Sequence, residues 1–191
     1  MHDRKGRQLR FAASEFRSDE SGEAKRISGY FVVFGDTYEW YPGVTESVDA
    51  HAFDNALGDD IRALIDHETR LVLGRTGPGT LRLRVDGKGL WGEIDINPDD
   101  TDATNLYARV KRGDVSQCSF GFDILDEEMS INENTGERHF TIKAVRLYEV
   151  SVCTFPAYKA TEVEARGEML RQMKKREFEI WRETMKRRFA K

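Results

Sequence analysis

The stretch from Leu81 to Ile96 constrains the fold more than any other. Leu81, Leu83 and Val85 alternate with Arg82 and Arg84, a turn follows at DGKG, and the run LWGEIDI comes next. A period of two with charge on alternate positions is that of a strand with one buried and one wet face. DGKG supplies turn chemistry between two such runs, so a β-hairpin is predicted here. Its apolar face needs a second layer to cover it.

The rest of the chain reads in the same way. Leu9, Phe11 and Ala13 alternate with polar residues and predict an opening strand. SDESGEAK reads as a turn into the apolar run RISGYFVVFG, the two runs together forming a hairpin. DTYEWYPGVTESV is a looser stretch. Asp49 is placed to cap a short helix through AHAFDNAL, stopped by Gly58. IRALID predicts a strand ending at His67, with HETR as a polar loop. After Asn97-Pro98-Asp99-Asp100 a helix is predicted through TDATNLYARVKRG. VSQCSFGFDIL and FTIKAVRLYEVSVCTF are strands separated by the turn NENTGER, and Pro156 closes the second. From about Thr161 a charged helix carries an apolar stripe of Leu170, Met173, Ile180, Trp181, Met185 and Phe189. Many strands, few helices and no βαβ alternation predict an α+β, mostly β fold: an antiparallel or mixed barrel with helices packed outside. The expected division is a domain over residues 1–161 and a basic amphipathic tail over 162–191.

Composition narrows the function. The 191 residues suffice for one well-packed domain. The net charge is −4, a balance that predicts neither a nucleic-acid partner nor a membrane one. The charge is uneven: residues 162–191 hold ten basic and six acidic side chains, a net of +4, so the remainder is −8. No apolar run of about 18 residues is present, and the N-terminus has no apolar secretory segment. Cys118 and Cys153 are expected to be reduced thiols, as in a cytosol-like compartment. His2, His51, His67 and His139 lack metal-ligand spacing, so no metal or cofactor is expected.

Three residues could carry chemistry together. His67 stands at a strand end. Ser119 lies on the strand face opposite Phe120 and Phe122, with Gly121 two positions on. Glu149 interrupts an otherwise nearly apolar strand, where a carboxylate is costly to bury without a partner. Taken singly, each has an ordinary structural explanation. Taken together they supply a hydroxyl, a base able to remove its proton near neutral pH, and a carboxylate able to orient that base. Cys118 and Ser116 are rival nucleophiles that alternation turns to the other face. Arg75, in LGRTG, reads as a turn arginine, with a helper role near the site as the alternative.

The ordered blocks GYFVVFG, ESVDAHAFDNAL, IRALIDHETRLVLGRTGPGTLRL, GKGLWGEIDI, RVKRGDVSQCSFGF and RLYEVSVCTFPAYKAT resemble those of the HK97-type caudovirus prohead proteases. The resemblance spans about residues 10–162. It implies a barrel ringed by helices, related to the herpesvirus assembly proteases. By it His67 matches the general base, Ser119 the nucleophile and Glu149 the third member. Because the herpesvirus enzymes use a second histidine there, His139 stands as a rival, with His51 a weaker one. The implied activity is a serine endopeptidase acting through an acyl-enzyme. Its substrates would be scaffolding protein, or the scaffold-like segment of the capsid protein, together with the enzyme itself. The implied setting is the assembling prohead in the host cytoplasm, without secretion, and homo-oligomerisation is allowed. A non-catalytic scaffold-associated module of the same fold is the alternative.

Overall fold

The computed structural model describes residues 8–13, 16–21 and 24–155. In chain order the elements are β1 (Gln8–Ala13), β2 (Arg17–Ser21), β3 (Ala24–Val33), β4 (Tyr38–Tyr41), β5 (Val44–Val48), β6 (Arg62–Ile65), β7 (Glu68–Arg75), β8 (Leu81–Val85), β9 (Gly89–Asp95), α1 (Thr101–Arg112), β10 (Gln117–Ile131) and β11 (Arg138–Cys153). They form two sheets. One has seven strands along the path β1-β10-β11-β5-β4, with β6 also paired to β11 and β7 to β6; the other has the order β2-β3-β9-β8.

The expected closed barrel is not what the described residues form. Two separate sheets share the core instead, and one α-helix, not a ring of helices, packs beside them. The expected amphipathic helix over 162–191 and the domain boundary at 161 lie outside the described residues.

The β8–β9 hairpin forms as its alternation predicts, with Leu81 opposite Ile94 and Leu83 opposite Gly92. Gly92 has a packing reason to lack a side chain: a Cβ there would stand 2.5 Å from Phe31 Cε2. The helix also forms where predicted. Asp100 caps it by accepting hydrogen bonds from the N–H groups of Asp102 and Ala103, and Gly113 ends it in a left-handed conformation. Ala103, Leu106, Tyr107 and Val110 form its buried face.

Three expectations are corrected. β1 does not form a hairpin with the next strand; it pairs with β10, and β2 is the partner of β3. The looser stretch before Asp49 is a β4–β5 hairpin. The short helix through AHAFDNAL is a run of turns, in which Ala52 N–H, Asp54 N–H and Ala56 N–H each reach the carbonyl three residues back. Phe53, Ala52 and Ala56 are buried there without a helical ladder to carry them.

The long strands β10 and β11 position the site. β11 is bordered by β10 on one edge; on the other it carries β5 along its first half and β6 along its second, both parallel. Phe120 and Phe122 stack at 4.5 Å between ring centroids on the core side of β10. They pack with Phe53, Val150, Val152 and Leu147 in the shared core.

Candidate active site

His67 lies in a two-residue turn, Asp66-His67, that joins β6 to β7. The polar loop expected at HETR is thus a tight hairpin, and β7 begins at Glu68. Both turn residues have positive φ, 47° and 63°, as a primed hairpin turn requires. Asp tolerates this region better than most residues. The turn is tied down: the Asp66 N–H donates to Val152 O at 3.1 Å, and the Asp66 carboxylate accepts from Thr154 N–H at 2.7 Å and Thr154 Oγ1 at 2.9 Å. Since β6 runs beside β11, this anchors the imidazole over the end of β11.

The ring meets one face of that strand. Glu149, Ser151 and Cys153 are spaced two apart and so point the same way. His67 Nδ1 is 2.7 Å from Glu149 Oε1, Ser151 Oγ is 3.3 Å from the same nitrogen, and Cys153 Sγ is 3.9 Å from Nε2. Ser151 Oγ donates to Glu149 Oε2 at 2.6 Å. A carboxylate only accepts, so the Nδ1 contact at 2.7 Å places the ring proton on Nδ1. Nε2 then carries the lone pair, toward which the Cys153 thiol is directed. Burial pushes that thiol well above the ordinary range of cysteine, with the Asp66 charge adding to the effect, so Cys153 stays protonated and is not a nucleophile at neutral pH.

Ser119 is the residue of β10 directly opposite Ser151, and Gly121 is opposite Glu149. Opposed residues of an antiparallel pair share a face and bring their Cβ atoms to about 5 Å. Ser119 therefore stands beside the His67–Glu149–Ser151 cluster. It is 0% exposed, and its Oγ has no hydrogen-bond partner among the described residues. His67 keeps 17% of its side-chain surface open, while Glu149 is 1% exposed.

The rival positions fall elsewhere. His139 is ten residues before Glu149 on the same strand, about 30 Å away at strand rise. Its ring nitrogens are 2.8 Å from Thr45 Oγ1 and 2.8 Å from Ser47 Oγ. His51 is exposed and pairs with Asp54 at 3.1 Å. Cys118 faces the core, its thiol directed at the carbonyls of Tyr30 and Phe31; both cysteines are free thiols. Ser116 is exposed just before β10. Arg75 commits its guanidinium to Asp60, which holds the Asp60 carboxyl below its usual range.

Sequence reasoning brought His67, Ser119 and Glu149 forward and overlooked Ser151, Cys153, Asp66 and Thr154. The signal for the first two was present in the alternation of EVSVC, which puts 149, 151 and 153 on one face. No local pattern announces Asp66 and Thr154, because they meet across 88 residues.

Comparison with known proteins identifies the family. Residues 12–176 match the family described as caudovirus prohead serine protease. The prohead protease of Enterobacteria phage HK97 is 30% identical over 161 residues, covering 82% of this chain and 67% of that protein. The structure of the bacteriophage T4 capsid assembly protease superposes with a TM-score of 0.50 at 10% identity, covering 78% of this chain and 98% of the other, so the fold is shared. With the family match running over residues 12–176, most of the chain, the chain belongs to the caudovirus prohead serine proteases.

Proposed function

We propose that this serine protease is an endopeptidase in which Ser119 is the nucleophile, His67 the general base and Glu149 the carboxylate that orients the base. The observation that carries the reading is the part-buried His67–Glu149 contact at 2.7 Å, on the strand face that Ser119 shares. In the reaction Ser119 Oγ bonds to the scissile carbonyl carbon while its proton passes to His67 Nε2. Glu149 stabilises the imidazolium so formed. The tetrahedral intermediate collapses by breaking the C–N bond, and the departing amine takes the proton from Nε2. Water then attacks the acyl-enzyme with His67 again as base, releasing the carboxyl product and restoring Ser119.

In the resting arrangement Nε2 faces Cys153 Sγ, and the Ser119 hydroxyl has no hydrogen-bond partner among the described residues. A rearrangement of these side chains, together with uncovering of Ser119, therefore belongs to substrate engagement. Such a site suits an enzyme that waits for its substrate. Membership of the prohead family points to the capsid protein, its scaffold-like segment or a scaffolding protein as that substrate, and to the assembling prohead as the place. Self-cleavage, including removal of residues after about 161, is part of the same proposal.

Mass spectrometry of capsid and scaffolding protein co-expressed with wild type or with Ser119→Ala tests it. New peptide termini with wild type, absent with Ser119→Ala, are expected; the same termini with both would refute the assignment of Ser119.

A further inference from the structure

Ser151 is the hydroxyl that the proposed reaction leaves without a task, yet it is the most tightly held polar group of the site. It is 0% exposed, donates to Glu149 Oε2 at 2.6 Å, and lies 3.3 Å from His67 Nδ1. We infer that Ser151 is a positioning residue, whose hydroxyl fixes the Glu149 carboxylate and thereby holds the His67 ring with its proton on Nδ1. The inference rests on the reading of His67 and Glu149 as base and orienting carboxylate.

The count of protons at this cluster is decisive. A serine hydroxyl has one proton and two lone pairs. The proton could go to the carboxylate or to a bare Nδ1. A charge-assisted O–H···O⁻ contact at 2.6 Å is a strong hydrogen bond, whereas 3.3 Å to nitrogen is long. The carboxylate wins the proton. The lone pairs of Ser151 are then left facing Nδ1, beside Glu149 Oε1 at 2.7 Å. These two oxygens at Nδ1 are thus both acceptors, and only the Nδ1–H tautomer satisfies them. With Ser151 holding one carboxylate oxygen, the carboxylate plane cannot rotate its other oxygen away from the ring.

Among the described residues, Glu149 and Cys153, both from β11, are titratable groups that contact the ring. Asp66, next in the chain, is turned to Thr154. The thiol of Cys153, kept protonated by burial, directs its S–H at Nε2 and favours the same tautomer. Ser119, from β10, is another hydroxyl on this face, and it stands opposite Ser151 in the ladder.

The test has two arms in the full-length chain. Ser151→Ala is expected to lower kcat about 10- to 100-fold toward a peptide substrate with little change in KM, in the range set by losing support for one acid–base group. Ser151→Thr, which retains the hydroxyl, is expected to recover most of that loss. In the Ser119→Ala background, nitrogen NMR of the His67 ring is expected to show a single Nδ1–H tautomer. Adding Ser151→Ala should then give averaging between the two tautomers. This second arm needs no turnover, so it stays readable if Ser119 proves not to be the nucleophile. An unchanged tautomer signature in the double variant overturns the inference, even if activity falls. A fluorophosphonate probe whose phosphorus bonds to Ser151 Oγ in place of Ser119 Oγ, with fluoride expelled as the P–F bond breaks and the hydroxyl proton passing to the base, would also overturn it, by making Ser151 the nucleophile. Should Ser151→Ala not fold, Ser151→Cys keeps the volume with a weaker donor, and the same tautomer averaging is required of it.

Discussion

Asp66 is bound twice by Thr154, through backbone N–H and side-chain hydroxyl, so the turn that carries His67 is fastened to the chain just beyond β11. His67 has a φ of 63° and no flexible loop on either side. Its ring position depends on this fastening as much as on Glu149. Asp66→Ala is expected to reduce kcat at least about tenfold, because small misplacements of a catalytic group are costly. Asp66→Asn keeps one acceptor oxygen and should lose less. Steady-state cleavage of a peptide substrate by the two variants measures the difference; equal activity of both with wild type would deny the turn a role.

Glu149 is the only carboxylate among the described residues that contacts the His67 ring. Glu149→Gln keeps the shape and removes the charge. The amide can donate to Nδ1, which favours the wrong tautomer, and the imidazolium loses its stabilising charge. A loss of about 10²–10⁴ in kcat is expected, with the variant still folded by circular dichroism. A loss below about threefold would remove Glu149 from the proposed machinery.

Cys153 contacts Nε2 yet is not expected to react. Burial holds its thiol protonated, and the residue is 1% exposed. Iodoacetamide at pH 8 should leave Cys153 unmodified in the folded chain and modify it in denaturant. Cys153→Ala should retain activity within a few-fold. Complete inactivation by that substitution would make the thiol a participant.

Most of the frame was legible before any coordinates. Alternation identified the β8–β9 hairpin, β10 and β11, and the Asp100 and Gly113 signals bracketed α1. These are local patterns, and local physics determines them. The partner of β1 was not legible, because pairing with β10 spans more than 100 residues and nothing in QLRFAA specifies it. The same holds for the Arg10–Glu46 ion pair, which fastens β1 to β5 and buries Glu46. Closure into a barrel does not follow from the pattern: alternation reports which face of a strand is wet, not whether a sheet meets itself. At the site, His67, Ser119 and Glu149 could be named singly. Only the register that sets Ser119 against Ser151 shows that they share a face.

Gly92 lies beneath the Phe31 ring, and a methyl group there has no room. Gly92→Ala should destabilise the fold by about 1–3 kcal/mol, the usual range for overpacking. Chemical denaturation reads this directly. Stability equal to wild type would mean that Phe31 can move aside without cost.

Asp95 is held below the usual carboxylate range, first by Arg82 and then by Arg26. A depressed carboxyl contributes stability above its unfolded-state value, near 3.9, and the contribution is lost as pH falls through the folded value. Arg82→Gln should therefore destabilise the chain at pH 7 and do so less at about pH 3. The groups are more than a third exposed, so the difference at pH 7 should be about 0.2–1 kcal/mol. A larger effect in acid than at neutrality would reverse the sign and refute the assignment.

The hydroxyl at 119 and the carboxylate at 149 belong to adjoining arms of one antiparallel ribbon. Sliding one arm by a single residue would turn Ser119 toward the core phenylalanines and set Phe120 against Ser151. The irregularities after Gly121, Ile124 and Asp126 act as notches that oppose such sliding. On the proposed assignment of Ser119 and Glu149, activity depends on alignment between two strands: a lesion at any of these notches, remote from any reacting atom, is expected to disarm the enzyme while leaving each of its chemical groups present.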